Sequence, residues 1–326
     1  MKNFRTTVTP EKPPFTISHN DRLVSIGSCF SENIGRKFRD YKFNININPF
    51  GQQYNPYSIA HAIHRLLQAN AYTENDLVYH DELFHSFDHH GSFSRHSVNE
   101  TLEVINTNLL LAANDLKHAT VLFLTFGTSH VFELNSNHHI VSNCHKLSGN
   151  MFTKRLMSPA EIVAVLNDAL AVLHKVNPSL KVILTVSPVR YFAFGAHENT
   201  VSKAHLFSAL HELMQQHTNY YYFPAYEIVM DDLRDYRFFA EDMLHPNYQA
   251  TDYVWEQLCN TMLNSATQTI MRETNEILLA AKHKPRNPNS EAHKKFIQKY
   301  LNLAGRLTKD YQLKFEEEET LLRRYL

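Results

Sequence analysis

The sequence predicts an α/β protein in which helices cover both faces of a mostly parallel β-sheet. Strand-like and helix-like segments alternate about five times before residue 265. The central strands are short and almost continuously apolar, as at 121–126, which is typical of strands buried on both faces. Glycine and polar residues follow several of these strands, at the positions where parallel strands end along one edge of a sheet.

The individual elements follow from local patterns, taken in chain order. A short β-rich run at 23–26 ends at Gly27, and the helix after it is predicted at 33–41 with Ser28 or Ser31 as its cap. Runs rich in β-branched and aromatic residues predict strands or hairpins at 43–47, 78–87, 121–126, 132–146, 181–186 and 220–223. Apolar residues at three- and four-residue spacing predict helices at 56–67, 98–116, 159–176, 200–217 and 248–258.

Composition restricts the class of protein. The chain has 326 residues, of which 43% are hydrophobic and 20% are charged, and its net charge is −1 with neutral histidine. Because the charge balance is near neutral, nucleic acid is not expected as a partner. Three cysteines do not make a disulfide framework, and neither a signal peptide nor an apolar run of membrane length is recognised. We therefore expect a cytoplasmic protein with no membrane partner.

Histidine is frequent, with 21 residues in the chain. One cluster lies between His80 and His96, but its spacing matches no defined zinc pattern and no paired cysteines accompany it. We expect these histidines to be structural or exposed to solvent. The sequence thus predicts neither a metal site nor a cofactor.

Residues 266–326 differ in character from the α/β domain predicted at 1–265. They indicate helices at 267–282, 290–308 and 309–325, and a basic segment rich in proline and asparagine at 282–290 separates the first two. Apolar faces on these helices predict packing against the α/β domain. Pairing with a second copy of the chain, which would make a homodimer, is the alternative.

Asp242 and His245 are the leading candidates for chemistry. A base imidazole presents one nitrogen to a nucleophile and gives its other N–H to an acceptor, and an aspartate three residues earlier can be that acceptor. The alternative is that Asp242 caps a turn and His245 is a surface residue. The nucleophile is expected at the strand-to-helix turn Gly27-Ser28-Cys29, where backbone N–H groups can hold an oxyanion.

Residues 26–31, which read Ile-Gly-Ser-Cys-Phe-Ser, resemble the signature after which the GSCFA family is named, with Ser31 in place of alanine. That family is placed in the SGNH/GDSL hydrolase superfamily, whose esterases, lipases and acyl hydrolases have a flavodoxin-like three-layer α/β/α fold. The resemblance covers about residues 20–265, and 242–247 is similar to the last block of the superfamily. It implies that His245 is the general base, that Asp242 orients it, and that the Gly51 backbone is an oxyanion donor.

Two departures from the superfamily pattern concern the nucleophile and the oxyanion hole. The first block usually reads Gly-Asp-Ser, so an ungapped alignment puts Cys29 at the nucleophile position, whereas the prevalence of serine favours Ser28. The third block usually reads Gly-x-Asn-Asp, but here Gly127 is followed by threonine, Ser129 and histidine. Either Ser129 replaces the oxyanion-hole asparagine or that donor is lost, and losing one donor costs about 10²–10³ in turnover.

The sequence thus predicts an SGNH-like hydrolase that cleaves an acyl or acetyl ester of a carbohydrate or related small molecule through a covalent acyl-enzyme. An acyltransferase on the same fold and a non-catalytic ligand-binding protein are the alternatives. Arg190 follows a strand end and is predicted to bind an anionic substrate group, with a structural charge as the alternative. His85 and His89 are predicted as polar contacts on the substrate side.

Overall fold

A computed structural model describes residues 5–324 and contains a central sheet, an added hairpin and a small second sheet. The strands are β1 (Arg22–Gly27), β2 (Asn44–Ile47), β3 (Leu77–His80), β4 (Leu83–Ser86), β5 (Val121–Phe126), β6 (His130–Leu134), β7 (Ile140–Val141), β8 (Phe152–Leu156), β9 (Lys181–Val186) and β10 (Tyr220–Tyr222). The helices are α1 (Cys29–Asp40), α2 (Pro56–Gln68), α3 (Val98–Lys117), α4 (Pro159–Val176), α5 (Ala196–Gln216), α6 (Ala225–Glu227), α7 (Tyr248–Met262), α8 (Ser265–Lys282), α9 (Glu291–Tyr311) and α10 (Glu316–Arg323).

The central sheet is five-stranded and parallel, in the order β10–β9–β5–β1–β2. Numbered by parallel strands alone, this is the 2-1-3-4-5 order of flavodoxin-like folds. Every residue of β5 is buried, as the apolar run predicts. The predicted α/β fold with a parallel sheet is therefore confirmed.

Alternate side chains of the strands supply two hydrophobic cores. Val24 and Ile26 of β1 pack with α2, α3, α4 and α5 on one face of the sheet. Leu23, which points the other way, packs with α1, α6 and α7 on the second face. Because successive strand residues face opposite sides, one strand contributes to both cores and the layers are helix, sheet, helix.

The segment between β5 and α4 forms a three-stranded antiparallel sheet with the order β7–β6–β8. A hairpin was expected within 132–146, and the structure adds Phe152–Leu156 as a further partner of His130–Leu134. The β3–β4 hairpin matches the one predicted at 78–87. Both additions lie outside the parallel sheet, so they do not change its order.

Helix α1 begins at Cys29, four residues earlier than predicted. Phe30, Ile34 and Phe38 recur every four residues and are buried in the second core, which extends the helix back to the end of β1. Ser28 is the N-cap, but its side chain makes no capping hydrogen bond. The consequence is that Cys29 occupies the first helical position.

Helices α8, α9 and α10 pack on one another and on the α/β domain. Ile270 and Ile277 of α8 lie in a buried cluster with Leu307, Leu313 and Phe315. Met271 of α8 lies in the second core of the α/β domain, in line with the predicted packing against that domain. A salt bridge of 2.8 Å between Lys42 and the mostly buried Glu318 ties α10 to the loop before β2. The boundary at residue 265 and the homodimer stay predictions. Within residues 5–324, no helix is both long enough and apolar enough to cross a membrane.

Candidate active site

A cavity of about 420 Å³ lies at the carboxyl edge of the parallel sheet. Segments that follow β1, β5 and β9 line it, together with the loop before α7. Its lining includes Ser28, Cys29, Asn55, Gly127, Thr128, His130, Phe132, Val141, Cys144, Ser187, Arg190 and His245. The structure thus brings both nucleophile candidates and the predicted base to one cavity.

The reactive atoms of Ser28 and Cys29 differ in their accessibility from this cavity. The hydroxyl oxygen of Ser28 is fully buried and has no hydrogen-bond partner among the described residues. The Cys29 side chain is partly accessible, and the backbone N–H groups of Phe30 and Cys29 itself approach its sulfur. Burial nevertheless raises the pKa of the Cys29 thiol, so the sulfur rests protonated and needs a base to react.

Asp242 and His245 form a pair in the loop before α7. Asp242 Oδ2 accepts from Nδ1 of His245 at 2.6 Å, and Asp242 Oδ1 accepts from the backbone N–H groups of Leu244 and His245. The N–H groups of His245 and Leu244, followed by the imidazole, lower the pKa of Asp242 to about 2. Since Asp242 occupies Nδ1, Nε2 is the nitrogen that His245 can offer to a reacting group.

Arg190 fixes this loop to the end of β9. The guanidinium of Arg190 donates to the carbonyl of Met243, and the backbone N–H of Arg190 donates to the carbonyl of Leu244 at 3.3 Å. The guanidinium also lies 4.6 Å from the centre of the Phe239 ring. These contacts are those of a structural charge, and Arg190 also lines the cavity, so its binding of an anionic substrate group stays a prediction.

Most of the predicted oxyanion donors are engaged elsewhere. The Gly51 N–H donates to the carbonyl of Asn48 at 2.7 Å, and the Gly127 N–H donates to the carbonyl of Tyr54 at 2.8 Å. Ser129 is 0% exposed, and its hydroxyl donates to the carbonyl of Ser202 at 3.0 Å. Ser129 therefore faces α5 rather than the cavity and does not replace the missing asparagine.

His85 and His89 lie in the packed region around the β3–β4 hairpin and not at the cavity. Nδ1 of His85 bonds to Ser94 at 2.6 Å, and its Nε2 donates to the carbonyl of His80 at 2.9 Å. His89 is 1% exposed and stacks on Phe50, and burial lowers its pKa to about 3. Both side chains pack in the protein interior, and neither of them lines the cavity.

His130 lines the cavity but has both ring nitrogens occupied. Nε2 bonds to Glu198 at 3.0 Å and Nδ1 lies 3.2 Å from the hydroxyl of Thr128. Sequence reasoning did not single it out as a base, and these partners make it a poor one. Among residues 5–324, no group of three or more His, Cys, Asp or Glu side chains is placed to hold a metal ion.

Lys203 of α5 lies beneath the cavity and was missed in the sequence. It is 2% exposed, and its ammonium donates to the carbonyls of Gly127 and Ser187, at 2.7 Å and 2.6 Å. Burial lowers the pKa of Lys203 to about 7, and the nearby Cys29 acts in the opposite direction. Lys203 lies three residues before Leu206, on the buried face of α5, and this spacing was the signal that could have indicated a buried lysine.

The fold and the cavity together define a flavodoxin-like α/β/α protein with a cysteine and an Asp–His pair at the carboxyl edge of its sheet. The chain belongs to the GSCFA family, whose model matches residues 22–258. The model of the C-terminal domain of GSCFA domain proteins matches residues 274–326. No significant match is found among curated proteins.

Two solved structures show a low similarity to this chain. A carbohydrate esterase family 3 protein from Talaromyces cellulolyticus is 12% identical with a TM-score of 0.27, over 50% of this chain and 67% of that one. The acetyl xylan esterase Est2A from Butyrivibrio proteoclasticus is 10% identical with a TM-score of 0.36, over 74% of this chain and 64% of that one. This chain thus spans about two thirds of the length of each.

Proposed function

We propose that this protein hydrolyses acyl esters with Cys29 as the nucleophile, His245 as the general base and Asp242 as the residue that orients the base. The observation that carries the proposal is that Cys29 and His245 line one cavity while Asp242 holds Nδ1 of His245 at 2.6 Å. A protonated thiol, a base with one free nitrogen and an orienting carboxylate are the parts that nucleophilic catalysis needs.

The chemistry runs in two steps. The Cys29 sulfur attacks the ester carbonyl carbon while Nε2 of His245 takes the thiol proton, and that proton then goes to the departing alcohol. The acyl group is left on Cys29 as a thioester. Water next attacks the thioester carbonyl and gives a proton to His245, and the carboxylic acid leaves as the thiol is restored.

Cys29 is preferred to Ser28 because of accessibility. A nucleophile must come within about 3–3.5 Å of a carbonyl carbon, and the Ser28 hydroxyl is fully buried. The Cys29 sulfur is partly accessible and lies at the start of α1, whose N-terminal dipole favours developing negative charge. Ser28 is then a turn residue that is held through its backbone, whose N–H donates to the carbonyl of Thr125 at 3.2 Å.

The substrate class is an acyl or acetyl ester of a carbohydrate or related small molecule. Phe132, Val141 and Val189 give part of the wall an apolar surface suited to an acyl chain, and Ser142 and Asn143 offer polar groups to a hydroxylated alcohol. If a second hydroxyl replaces water in the second step, the same groups perform acyl transfer.

The test is cleavage of chromogenic acetyl to octanoyl esters by wild type and by Cys29→Ala, Ser28→Ala and His245→Ala. We expect turnover by wild type and Ser28→Ala, and loss of turnover in the other two. Cys144→Ala is the matched control, because Cys144 is a second thiol at the cavity wall. Intact-mass analysis should find one acyl group on wild type and none on Cys29→Ala. An inert wild type, or an active Cys29→Ala, would overturn the proposal.

A further inference from the structure

The cavity contains an asparagine that sequence reasoning did not consider as a donor. Asn55 is 6% exposed, lines the cavity and precedes the proline that opens α2. Its Oδ1 accepts the backbone N–H of Ser58 at 2.8 Å, as an N-cap residue does. Since that N–H can only donate, the cavity-facing end of the side-chain amide is defined as Nδ2.

The Nδ2 of Asn55 has no protein partner in the described part of the chain. This nitrogen is not fully buried, so it is accessible to a ligand. An amide nitrogen that keeps both hydrogens free at a cavity wall is ready to donate to a substrate oxygen. The donors that the sequence suggested at Gly51, Gly127 and Ser129 already donate to protein carbonyls, and so does the backbone N–H of Ser28. The backbone N–H of Cys29 approaches the sulfur of the same residue.

Backbone hydrogen bonds hold Asn55 rigidly beside the nucleophile turn. The Gln53 N–H donates to the carbonyl of Gly27 at 2.9 Å, and the Tyr54 carbonyl accepts from Gly127 at 2.8 Å and from Thr128 at 3.0 Å. The segment that ends at Asn55 is thereby joined to the ends of both β1 and β5. A Cβ on Gly127 would lie 3.3 Å from the backbone oxygen of Tyr54 and 3.6 Å from the Cβ of Ser28. The segment before α2, the loop after β5 and the nucleophile turn therefore lie close together at this point.

We infer that the side-chain amide of Asn55 donates a hydrogen bond to the oxyanion that forms when Cys29 attacks an ester. This inference rests on the proposed function. Asn55 thus performs the task of the asparagine that the third block lacks, from the loop before α2 instead of the loop after β5. The hydrogen bond from a donor that is already in place becomes stronger as negative charge develops on the substrate oxygen. It therefore lowers the activation free energy rather than the dissociation constant of the substrate.

Asn55→Ser tests the inference without removing the helix cap. Serine is as good an N-cap as asparagine, but its hydroxyl is too short to serve the cap and the cavity together. We expect kcat to fall by about 10²–10³ with little change in KM. Alkylation of Cys29 by iodoacetamide forms no oxyanion, so we expect its rate to stay within about twofold of wild type. The urea unfolding midpoint should also be retained.

The outcomes separate failure of this inference from failure of the proposed function. If wild type and Asn55→Ser turn over equally while Cys29→Ala is inert, the proposed function stands and the role of Asn55 is wrong. If Asn55→Ser loses turnover and Cys29 alkylation together, Asn55 only supports the structure, and the inference is again overturned. If wild type is inert, or Cys29→Ala is active, the proposed function itself fails.

Discussion

Replacing Lys203 with methionine tests the electrostatics beneath the cavity. The ammonium is fully buried and has two carbonyl partners, and burial lowers its pKa from 10.5 to about 7. Between these two pH values the unfolded chain keeps the proton and the folded protein does not. The energetic penalty of burying Lys203 is therefore fully present below pH 7 and is relieved as the pH rises toward 10.5.

The size of this effect follows from linkage at about 1.4 kcal/mol per pKa unit. Between pH 7 and pH 9, with Lys203 half protonated at the lower pH, the wild type gains about 2 kcal/mol of unfolding free energy from this group. Lys203→Met lacks the titration, while the other titrating groups are common to both proteins. We therefore expect the free-energy difference, wild type minus variant, to increase by about 2 kcal/mol over that interval.

Urea unfolding at the two pH values measures this difference. Lys175→Met is the control, because it removes a lysine that is exposed on α4 and should leave the pH dependence unchanged. A wild-type-minus-variant difference that is flat from pH 7 to pH 9 would refute the reasoning. It would mean that the carbonyls of Gly127 and Ser187 keep the ammonium charged in spite of its burial.

Three further predictions concern Gly51, Asp88 and Arg190. Gly51 has a φ of +74°, and the Cβ of Gly51→Ala would lie 2.3 Å from the Cβ of His90, so we expect the free energy of unfolding in urea to fall by about 1–3 kcal/mol. Gly91→Ala is the control, because its Cβ would have no heavy atom within 4 Å and should leave the stability unchanged. Asp88 accepts hydrogen bonds from His61 and Tyr72, and its contact with His139 raises the pKa of that imidazole. The stabilisation from a raised pKa is fully present below the ordinary histidine value of about 6.5 and is lost as the pH rises through the raised pKa. We therefore expect Asp88→Asn to lower Tm more at pH 5.5 than at pH 8.5, and equal losses of Tm would contradict this. Arg190→Ala frees the loop of Asp242 and His245, so we expect ester turnover to fall by about 10²-fold while Cys29 stays reactive to iodoacetamide, and unchanged turnover would exclude a positioning role.

Periodicity and strand-end position made much of this architecture predictable. The 121–126 strand and the 159–176 helix were predicted with the bounds that the structure has, because a continuous apolar run and a Ser-Pro start are purely local signals. The pairing of Asp242 with His245 was predictable for the same reason, since both residues lie in one turn.

What could not be predicted depends on contacts between distant segments. Ser129 looked like an oxyanion donor until its hydroxyl was seen to donate to Ser202, 73 residues away. Asn55 is recognisable in the sequence only as the cap of α2, and the direction of its Nδ2 depends on how Tyr54 is held by the end of β5. Sequence alone gives the helix cap but not the neighbouring strand that turns the cap toward a cavity.

The segment 130–156 has a consequence for how such a protein can change over generations. The groups proposed to react lie at the ends of the parallel strands and in the loop before α7, whereas Phe132 and Val141 of the cavity wall belong to the separate antiparallel sheet. Replacing that insertion by another sequence would change the shape of the cavity wall without moving Cys29 or His245. Two homologues could then catalyse the same reaction on different substrates. The antiparallel sheet is the segment in which their sequences should be compared.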